Sequence, residues 1–260
     1  MSRAFGVTAG LDPEVASPLA ARCQELGYTS MWSNDHPGAK GLETLAAYAR
    51  GADRIDLGVG VIALDRYSPD QIAAEIDRLG LDPGRLWLGL GAGFTEKPLT
   101  TMREALPGLR DALAGVRLVL AAMGPKMAAF GGAEWDGVFF NWMTPEYASG
   151  AREWVEKGAG EADRETPRVF GYVRTAVGRD AEDRLAKDES FYSDLHQGYR
   201  NHFDRLDAPQ GTVGVAAENA GVLQEQLSRY RALDTVVARA LASATLEDMG
   251  ALAEAAAPGV

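Results

Sequence analysis

A run of polar residues with acid–base chemistry follows a short apolar stretch near the start of the chain. The segment 28–38 reads YTSMWSNDHPG, so Asn34, Asp35 and His36 stand between an apolar run and Pro37. An imidazole titrates near neutrality, and with the Asp35 carboxylate beside it His36 suits the role of proton donor or acceptor. His36 equally suits a structural role at the end of a strand. The residues alone leave both interpretations open.

Glycines end three further apolar runs, where they would let a ligand approach the backbone. The third run contains Gly60-Val61, the fourth ends in GLGAG over residues 89–93, and the fifth ends in Gly124-Pro125-Lys126 at the start of a helix. The free N–H groups of a helix start bind phosphate, and Lys126 would add a positive charge. Each glycine alone could make a tight turn, but together they favour a phosphate-bearing cofactor. The G-x-G-x-G spacing of residues 89–93 does not match the dinucleotide-binding fingerprint.

Other chemistries find little support in the residue types. The three histidines, His36, His196 and His202, are scattered along the chain, which disfavours a metal site. No G-x-S-x-G motif is present for a serine nucleophile. The single cysteine, Cys23, lies at helical spacing among apolar residues and reads as a small core side chain.

The elements that must position these residues follow a strict alternation of apolar runs and amphipathic segments. Eight strand–helix units predict an α/β fold of the (β/α)8 TIM-barrel type, as a single domain over residues 1–260. The runs are almost continuously apolar, as expected of parallel strands covered on both faces. An open doubly wound sheet is the alternative. The predicted strands are Ala4–Ala9, Tyr28–Ser33, Ile55–Leu64, Arg85–Leu90, Val116–Met123, Gly137–Met143, Arg168–Val177 and Thr235–Ala240.

A barrel would gather the polar residues and the glycines, because the C-terminal ends of its strands form the catalytic mouth. Asn34, Asp35 and His36 would then lie at the mouth end of the second strand. The fourth helix, predicted to about Leu113, leads almost directly into the fifth strand, so this connection is short. Helical segments are also expected over 180–206 and near 217–233.

Charge and hydropathy limit the partners. The chain has 26 basic and 37 acidic residues, a net charge of −11, which disfavours nucleic acid and anionic membranes. No signal peptide or membrane-spanning run is visible, so a cytoplasmic protein that acts on a small molecule is expected. An anionic ligand would need local cations, and Arg66, Lys126 and Arg239 are the candidates near the mouth.

Four segments, taken in order, resemble the bacterial luciferase-like monooxygenase superfamily. They are ELGYTSMWSNDH, IDLGVGVIALDRYSP, GRLWLGLGAG and MGPKMAAFGGAEWDGVFFNWMTPE, and the last is most similar to the branch that uses the deazaflavin coenzyme F420. The resemblance implies a deazaflavin or flavin (FMN) across the mouth, a non-prolyl cis peptide at Gly60-Val61 behind its ring, and a homodimer through the second and third helices. It places Asp35 and His36 near the reactive ring. It also implies cofactor contacts from Gly60, Val61, Gly91, Ala92, Gly93, Gly124, Pro125, Lys126 and Asn141.

Three functions are compatible with this resemblance. The first is hydride transfer between coenzyme F420 and a small organic substrate, with His36 moving a proton. The second is an FMN-dependent monooxygenase that uses oxygen and a partner reductase. The third is a barrel that binds a ligand without turnover.

The chain departs from the superfamily pattern at three places. Phe94 stands where some F420-dependent dehydrogenases carry a catalytic glutamate, which argues against a sugar-phosphate dehydrogenase. The short connection between the fourth helix and the fifth strand lacks an insertion that helps to roof the pocket in family members. The aromatic-rich segment 189–217 could supply a substitute lid or a packed helix, and we favour the helix.

Overall fold

The computed structural model describes residues 1–259 and confirms the predicted barrel. Eight parallel strands pair in the order β1 to β7 followed by β9, and β9 pairs with β1 to close the ring. A short additional strand, β8, pairs with the end of β7. The strands are β1 Ser2–Val7, β2 Ser30–Ser33, β3 Asp56–Ala63, β4 Leu86–Gly91, β5 Arg117–Ala122, β6 Gly137–Asn141, β7 Arg168–Val177, β8 Val215–Ala217 and β9 Thr235–Ala240.

Helices alternate with the strands and begin at clear sequence signals. Ser68 forms a capping box with Gln71 at the start of α3, and the Thr144 hydroxyl accepts a hydrogen bond from the Tyr147 N–H at the start of α6. In the part of the chain that the structure describes, no helix has the length and apolar character needed to cross a membrane. The helices are α1 Pro13–Glu25, α2 Gly41–Gly51, α3 Pro69–Leu79, α4 Pro98–Ala112, α5 Pro125–Glu134, α6 Pro145–Glu161, α7 Ala181–Leu195, α8 Gln197–Leu206, α9 Ala220–Ser228 and α10 Leu246–Ala255.

Two elements differ from the prediction. The helical segment expected over 180–206 is two helices, because His196 takes an extended conformation and its Nδ1 accepts a hydrogen bond of 2.9 Å from the Gly198 N–H. The helix expected near 217–233 starts later, since residues 215–217 pair with β7 as β8. The short connection between α4 and β5 is confirmed and spans only 113–116.

Aromatic side chains fill the barrel interior below the mouth. The ring centroids of Trp32 and Phe139 lie 5.0 Å apart in a stacked arrangement, and Phe170 lies 5.0 Å from Trp32. Glycine makes room for this layer: a Cβ at Gly58 would lie 2.3 Å from the Trp32 ring. The packed interior therefore closes the barrel from below and leaves only its upper end accessible.

Candidate functional site

Small side chains form an accessible surface at the upper end of the barrel interior. Val61, Gly91, Ala121 and Asn141 are partly exposed, whereas the inward-facing residues below them are buried. A Cβ at Gly91 would lie 3.3 Å from Val61 Cγ2 and 3.6 Å from Ala121 Cβ, so β3, β4 and β5 form one continuous surface. We call Val61, Gly91, Ala121 and Asn141 the floor of the mouth.

The peptide between Gly60 and Val61 is cis, as the resemblance implied. The pairing register of β3 with β4 shifts between Val59 and Ile62 at the same place, so the strand carries a bulge there. A Cβ at Gly60 would lie 2.6 Å from the Phe139 ring, which explains why glycine occupies this position.

Of the three polar residues that follow β2, Asn34 and Asp35 hold neighbouring segments together, whereas the His36 side chain bonds only within its own turn. Asn34 Oδ1 accepts a hydrogen bond of 2.8 Å from the Ala9 N–H and so ties the ends of β1 and β2 together. Asp35 forms an ion pair with Arg66 and accepts a hydrogen bond of 2.9 Å from the Gly41 N–H at the start of α2. Neither carboxylate oxygen of Asp35 is therefore directed to His36.

His36 is half-buried, and within residues 1–259 one of its ring nitrogens, Nε2, has no hydrogen-bond partner. Its Nδ1 accepts a hydrogen bond of 3.2 Å from the Gly38 N–H, and its backbone pairs with Ala39. A neutral imidazole whose Nδ1 accepts carries its proton on Nε2, an assignment that follows from this hydrogen bond. The local turn thus prepares His36 as an N–H donor through Nε2.

The turn after β4 is organised around an acidic residue that sequence reasoning did not single out. Gly93 has a φ of 71°, and a Cβ at this position would lie 2.1 Å from the Asp65 carboxyl carbon. Asp65 Oδ2 accepts a hydrogen bond of 3.0 Å from the Phe94 N–H, and Ala92 is buried. A carboxylate at this turn repels an anion, so a phosphate is disfavoured at Gly93 and Ala92.

The start of α5 is electrostatically better suited to an anion. A Cβ at Gly124 would meet no atom within 4 Å, so the backbone there is open. Lys126 is exposed and makes no ion pair within residues 1–259. Arg205 reaches the same place, because its Nη2 lies 3.3 Å from the Met123 carbonyl oxygen that it donates to. Arg205 comes from a distant helix, and no local sequence signal pointed to it.

Two arginines lie side by side on the inward face of β7 and β9. Phe170, Tyr172 and Arg174 alternate along β7, and the first two belong to the interior aromatic layer, so Arg174 also faces inward. Arg239 is the register partner of Arg174 on β9. Asn141 Oδ1 accepts a hydrogen bond of 2.6 Å from Arg174 Nη1, which joins the floor to this pair.

Helices α7 and α8 cover part of the mouth and replace the missing roof. The segment 189–217 is helical over most of its length, as the packed-helix interpretation expects. Together with Asp188 of α7 it contacts the ends of four consecutive strands, so these helices also cover the mouth as the lid alternative expects. We call α7 and α8 the roof. After β4, the His196 ring lies 4.5 Å from the Phe94 ring, measured between ring centroids, and after β5, Arg205 donates to the Met123 carbonyl at 3.3 Å. After β6, His202 Nε2 lies 2.5 Å from the Trp142 carbonyl oxygen, and on β7, Arg174 pairs with Asp188 at 2.9 Å.

Burial shifts the pKa of several groups around the roof. Desolvation lowers the pKa of His202, although its hydrogen bond to the Trp142 carbonyl opposes this shift. Burial raises the pKa of Tyr172, with Arg239 and Arg174 opposing, and raises the pKa of Tyr199 to about 12. Both phenols are therefore neutral hydrogen-bond donors at physiological pH.

Comparisons with known proteins agree with this architecture. The family model described as luciferase-like monooxygenase matches residues 4–119 and 105–256. A search of curated protein sequences found no match.

Solved structures with the same fold include enzymes of two cofactor classes. The coenzyme F420-dependent tetrahydromethanopterin reductase from Methanopyrus kandleri is 16% identical, with a TM-score of 0.78 over 100% of this chain and 98% of the other. An F420-dependent secondary alcohol dehydrogenase with an F420–acetone adduct is 15% identical, with a TM-score of 0.75 over 98% and 97%. The oxygenating constituent of 3,6-diketocamphane monooxygenase from Pseudomonas putida, in complex with FMN, is 13% identical, with a TM-score of 0.68 over 100% and 99%. At these identities the likeness shows the fold.

Proposed function

Because the chain belongs to the luciferase-like monooxygenase family of enzymes, we propose that it is an oxidoreductase that transfers a hydride between coenzyme F420 and a small organic substrate. The observation that carries this proposal is the floor of the mouth, a continuous accessible surface of small residues across β3, β4 and β5. His36 supports it, because it follows β2, the strand next to β3, and offers an N–H donor at the same end of the barrel.

The residues present fit a planar ring system with a phosphate-bearing tail. The floor lacks large side chains, and a Cβ at Gly91 would already lie 3.3 Å from Val61 Cγ2 and 3.6 Å from Ala121 Cβ. Lys126 and Arg205 would hold the phosphate at the start of α5, where no side chain of the described residues caps the first N–H groups of the helix. When bound, F420 or FMN supplies the acceptor or donor of the hydride.

The chain's own residues would bind, orient and supply a proton. His36 would hydrogen-bond the substrate oxygen through its Nε2–H. To give up that proton it would first take one up at Nδ1 and release the hydrogen bond from the Gly38 N–H, so that donation leaves the neutral ring. Asp35 would act as a positioning residue, because its oxygens hold Arg66 and the start of α2, which fixes the loop that carries His36. The roof would exclude water over the ends of β4 to β7.

The choice of F420 is supported by fold neighbours that use it and by the resemblance of residues 123–146 to the F420-dependent branch. The second candidate is an FMN-dependent monooxygenase, which the family description and an FMN-bound neighbour favour. A barrel that binds without turnover is the third, and Phe94 at the position of a family glutamate is its support. A cytoplasmic homodimer through α2 and α3 completes the proposal.

The direct test is titration of the purified protein with F420 and, separately, with FMN, followed by cofactor fluorescence. Saturable binding of F420 with weaker FMN binding supports the first candidate. Tight FMN binding with oxygen consumption in the presence of a reductase supports the second. If neither cofactor binds, the proposed function is wrong. Size-exclusion chromatography with light scattering tests the dimer.

A further inference from the structure

The guanidinium of Arg239 is buried at the mouth, and no carboxylate in the described part of the chain pairs with it. Arg239 is 9% exposed, and within residues 1–259 it makes one hydrogen bond, to the Ala240 carbonyl oxygen, and no ion pair. Its neighbour Arg174 is 2% exposed but is paired with Asp188 at 2.9 Å. Two cations thus lie in register on adjacent strands, and in the described residues only Arg174 has a carboxylate partner. Like charges in this position destabilise the sheet unless an anion compensates them.

The hydroxyl of Tyr172, whose ring lies near both cations, also lacks a partner in the described chain. Tyr172 Oη is fully buried and makes no hydrogen bond in the described chain. The centre of the Arg174 guanidinium lies 5.4 Å from the Tyr172 ring centroid, and that of Arg239 lies 5.9 Å from it. Buried polar groups are almost always hydrogen-bonded, so the Tyr172 hydroxyl, on a ring that two guanidinium groups approach, is available to donate to an acceptor.

A glycine on the other neighbouring strand makes room for the Tyr172 ring beside Arg239. Gly6 on β1 is the other register partner of Arg239, and a Cβ there would lie 2.4 Å from the Tyr172 ring. Any side chain at Gly6 would therefore displace Tyr172 from its place beside Arg239. The donors lie on the adjacent strands β7 and β9, and Gly6 on β1 accommodates the Tyr172 ring between them.

We propose that Arg239, Arg174 and the Tyr172 hydroxyl bind the carboxylate of an acidic substrate at the barrel mouth. Two arginines and one aspartate leave one uncompensated positive charge, which matches a monoanion rather than a phosphate dianion. The planar fork of a guanidinium also matches a carboxylate in a bidentate manner. This inference rests on the proposed function, since it names the substrate class of that site, but the anion site itself does not require the cofactor.

The test compares a carboxylate probe with its neutral amide. Calorimetric titration of the full chain with benzoate and with benzamide should give saturable binding of benzoate and at least tenfold weaker binding of benzamide. R239Q should weaken benzoate binding at least tenfold. R229Q removes an exposed arginine on the outside of the barrel and should leave it unchanged. Equal binding of benzoate and benzamide, or unchanged benzoate binding by folded R239Q, would overturn the proposal.

A second variant, Y172F, and cofactor titrations of the same variants complete the experiment. Y172F removes only the hydroxyl and should weaken benzoate binding even if R239Q does not fold; unchanged binding by Y172F would then overturn the proposal. F420 and FMN are titrated into the same variants. Loss of cofactor binding by R239Q with benzoate binding retained would assign the arginines to the cofactor and overturn the proposal. Benzoate binding by the wild type without binding of either cofactor would support the anion site while the proposed function fails.

Discussion

Asp35 and Arg66 form an ion pair that joins the ends of β2 and β3 at the barrel mouth. The Asp35 side chain is 3% exposed and that of Arg66 is 27% exposed, so the pair is largely shielded from water. Asp35 Oδ2 also accepts the hydrogen bond from the Gly41 N–H. The carboxylate that precedes His36 in the sequence is thus fully used in holding the loop between β2 and α2.

Replacing Asp35 by asparagine should therefore destabilise the protein. D35N keeps the size of the side chain but removes the charge that pairs with Arg66, and we expect the free energy of unfolding to fall by about 1–3 kcal/mol. Urea denaturation measures this change. D111N is the matched control, because Asp111 is exposed on α4, and it should leave stability unchanged. A D35N protein as stable as the wild type would contradict a structural role for Asp35.

The same pair predicts non-additive effects. R66Q should also lower stability, and the double variant D35N/R66Q should lose less than the sum of the two single variants, because both remove one interaction. Strict additivity would show that Asp35 and Arg66 do not depend on each other.

Substitutions of His36 separate proton transfer from hydrogen bonding. H36A should lower kcat by about 10²–10⁴-fold with little change in cofactor Kd, since His36 is proposed to carry the proton and not to hold the cofactor. H36Q keeps an N–H donor that cannot transfer its proton, so it should be as inactive as H36A if proton transfer matters. Steady-state kinetics and cofactor titration measure both effects. Wild-type kcat in H36A would refute the role.

The roof should loosen in mild acid because of His202. Burial lowers the folded-state pKa of His202, so the folded protein prefers the neutral ring. The unfolded chain, with a histidine pKa of about 6.5, then binds the proton more readily. The contribution of neutral His202 to the free energy of unfolding is therefore complete above about pH 6.5. It decreases as the pH falls below that value, and it stops changing below the folded-state pKa of His202.

Urea denaturation between pH 5 and 8 measures this dependence, with H202N as the comparison. Asparagine keeps an N–H donor for the Trp142 carbonyl but does not titrate. The unfolding free energy of the wild type should decrease relative to that of H202N as the pH falls below about 6.5. A constant difference over the whole range would show that His202 does not titrate with folding.

The barrel could be predicted from sequence because its signals are local and repeated. Apolar runs such as RLWLGL at β4 and capped helix starts such as Ser68-Pro69 recur along the chain. An error of a few residues at the end of one strand or helix therefore does not change the number of predicted strand–helix units. The extra strand β8 was missed because its residues, 215–217, are too few to form a recognisable run.

The site could be predicted only in part, because strand ends reveal location and not partners. The position of His36 at the mouth follows from the end of β2, but the pairing of Asp35 with Arg66 depends on a loop that follows a different strand. Arg174 was overlooked inside the apolar run RVFGYVRTAV. The alternation of Phe170, Tyr172 and Arg174 was a signal that could have placed it at the mouth.

The most direct test of the account is cofactor titration of two variants at Gly91. In G91A the added Cβ would lie 3.6 Å from Ala121 Cβ, an ordinary contact, and 3.3 Å from Val61 Cγ2, which requires the Val61 side chain to move by a few tenths of an ångström. The protein should therefore still bind F420, or FMN if that is its cofactor. In G91V the additional methyl groups would occupy the space above the floor, and we expect cofactor affinity to fall at least tenfold with the fold intact by circular dichroism. Equal cofactor affinity in wild type, G91A and G91V would contradict a cofactor on this floor.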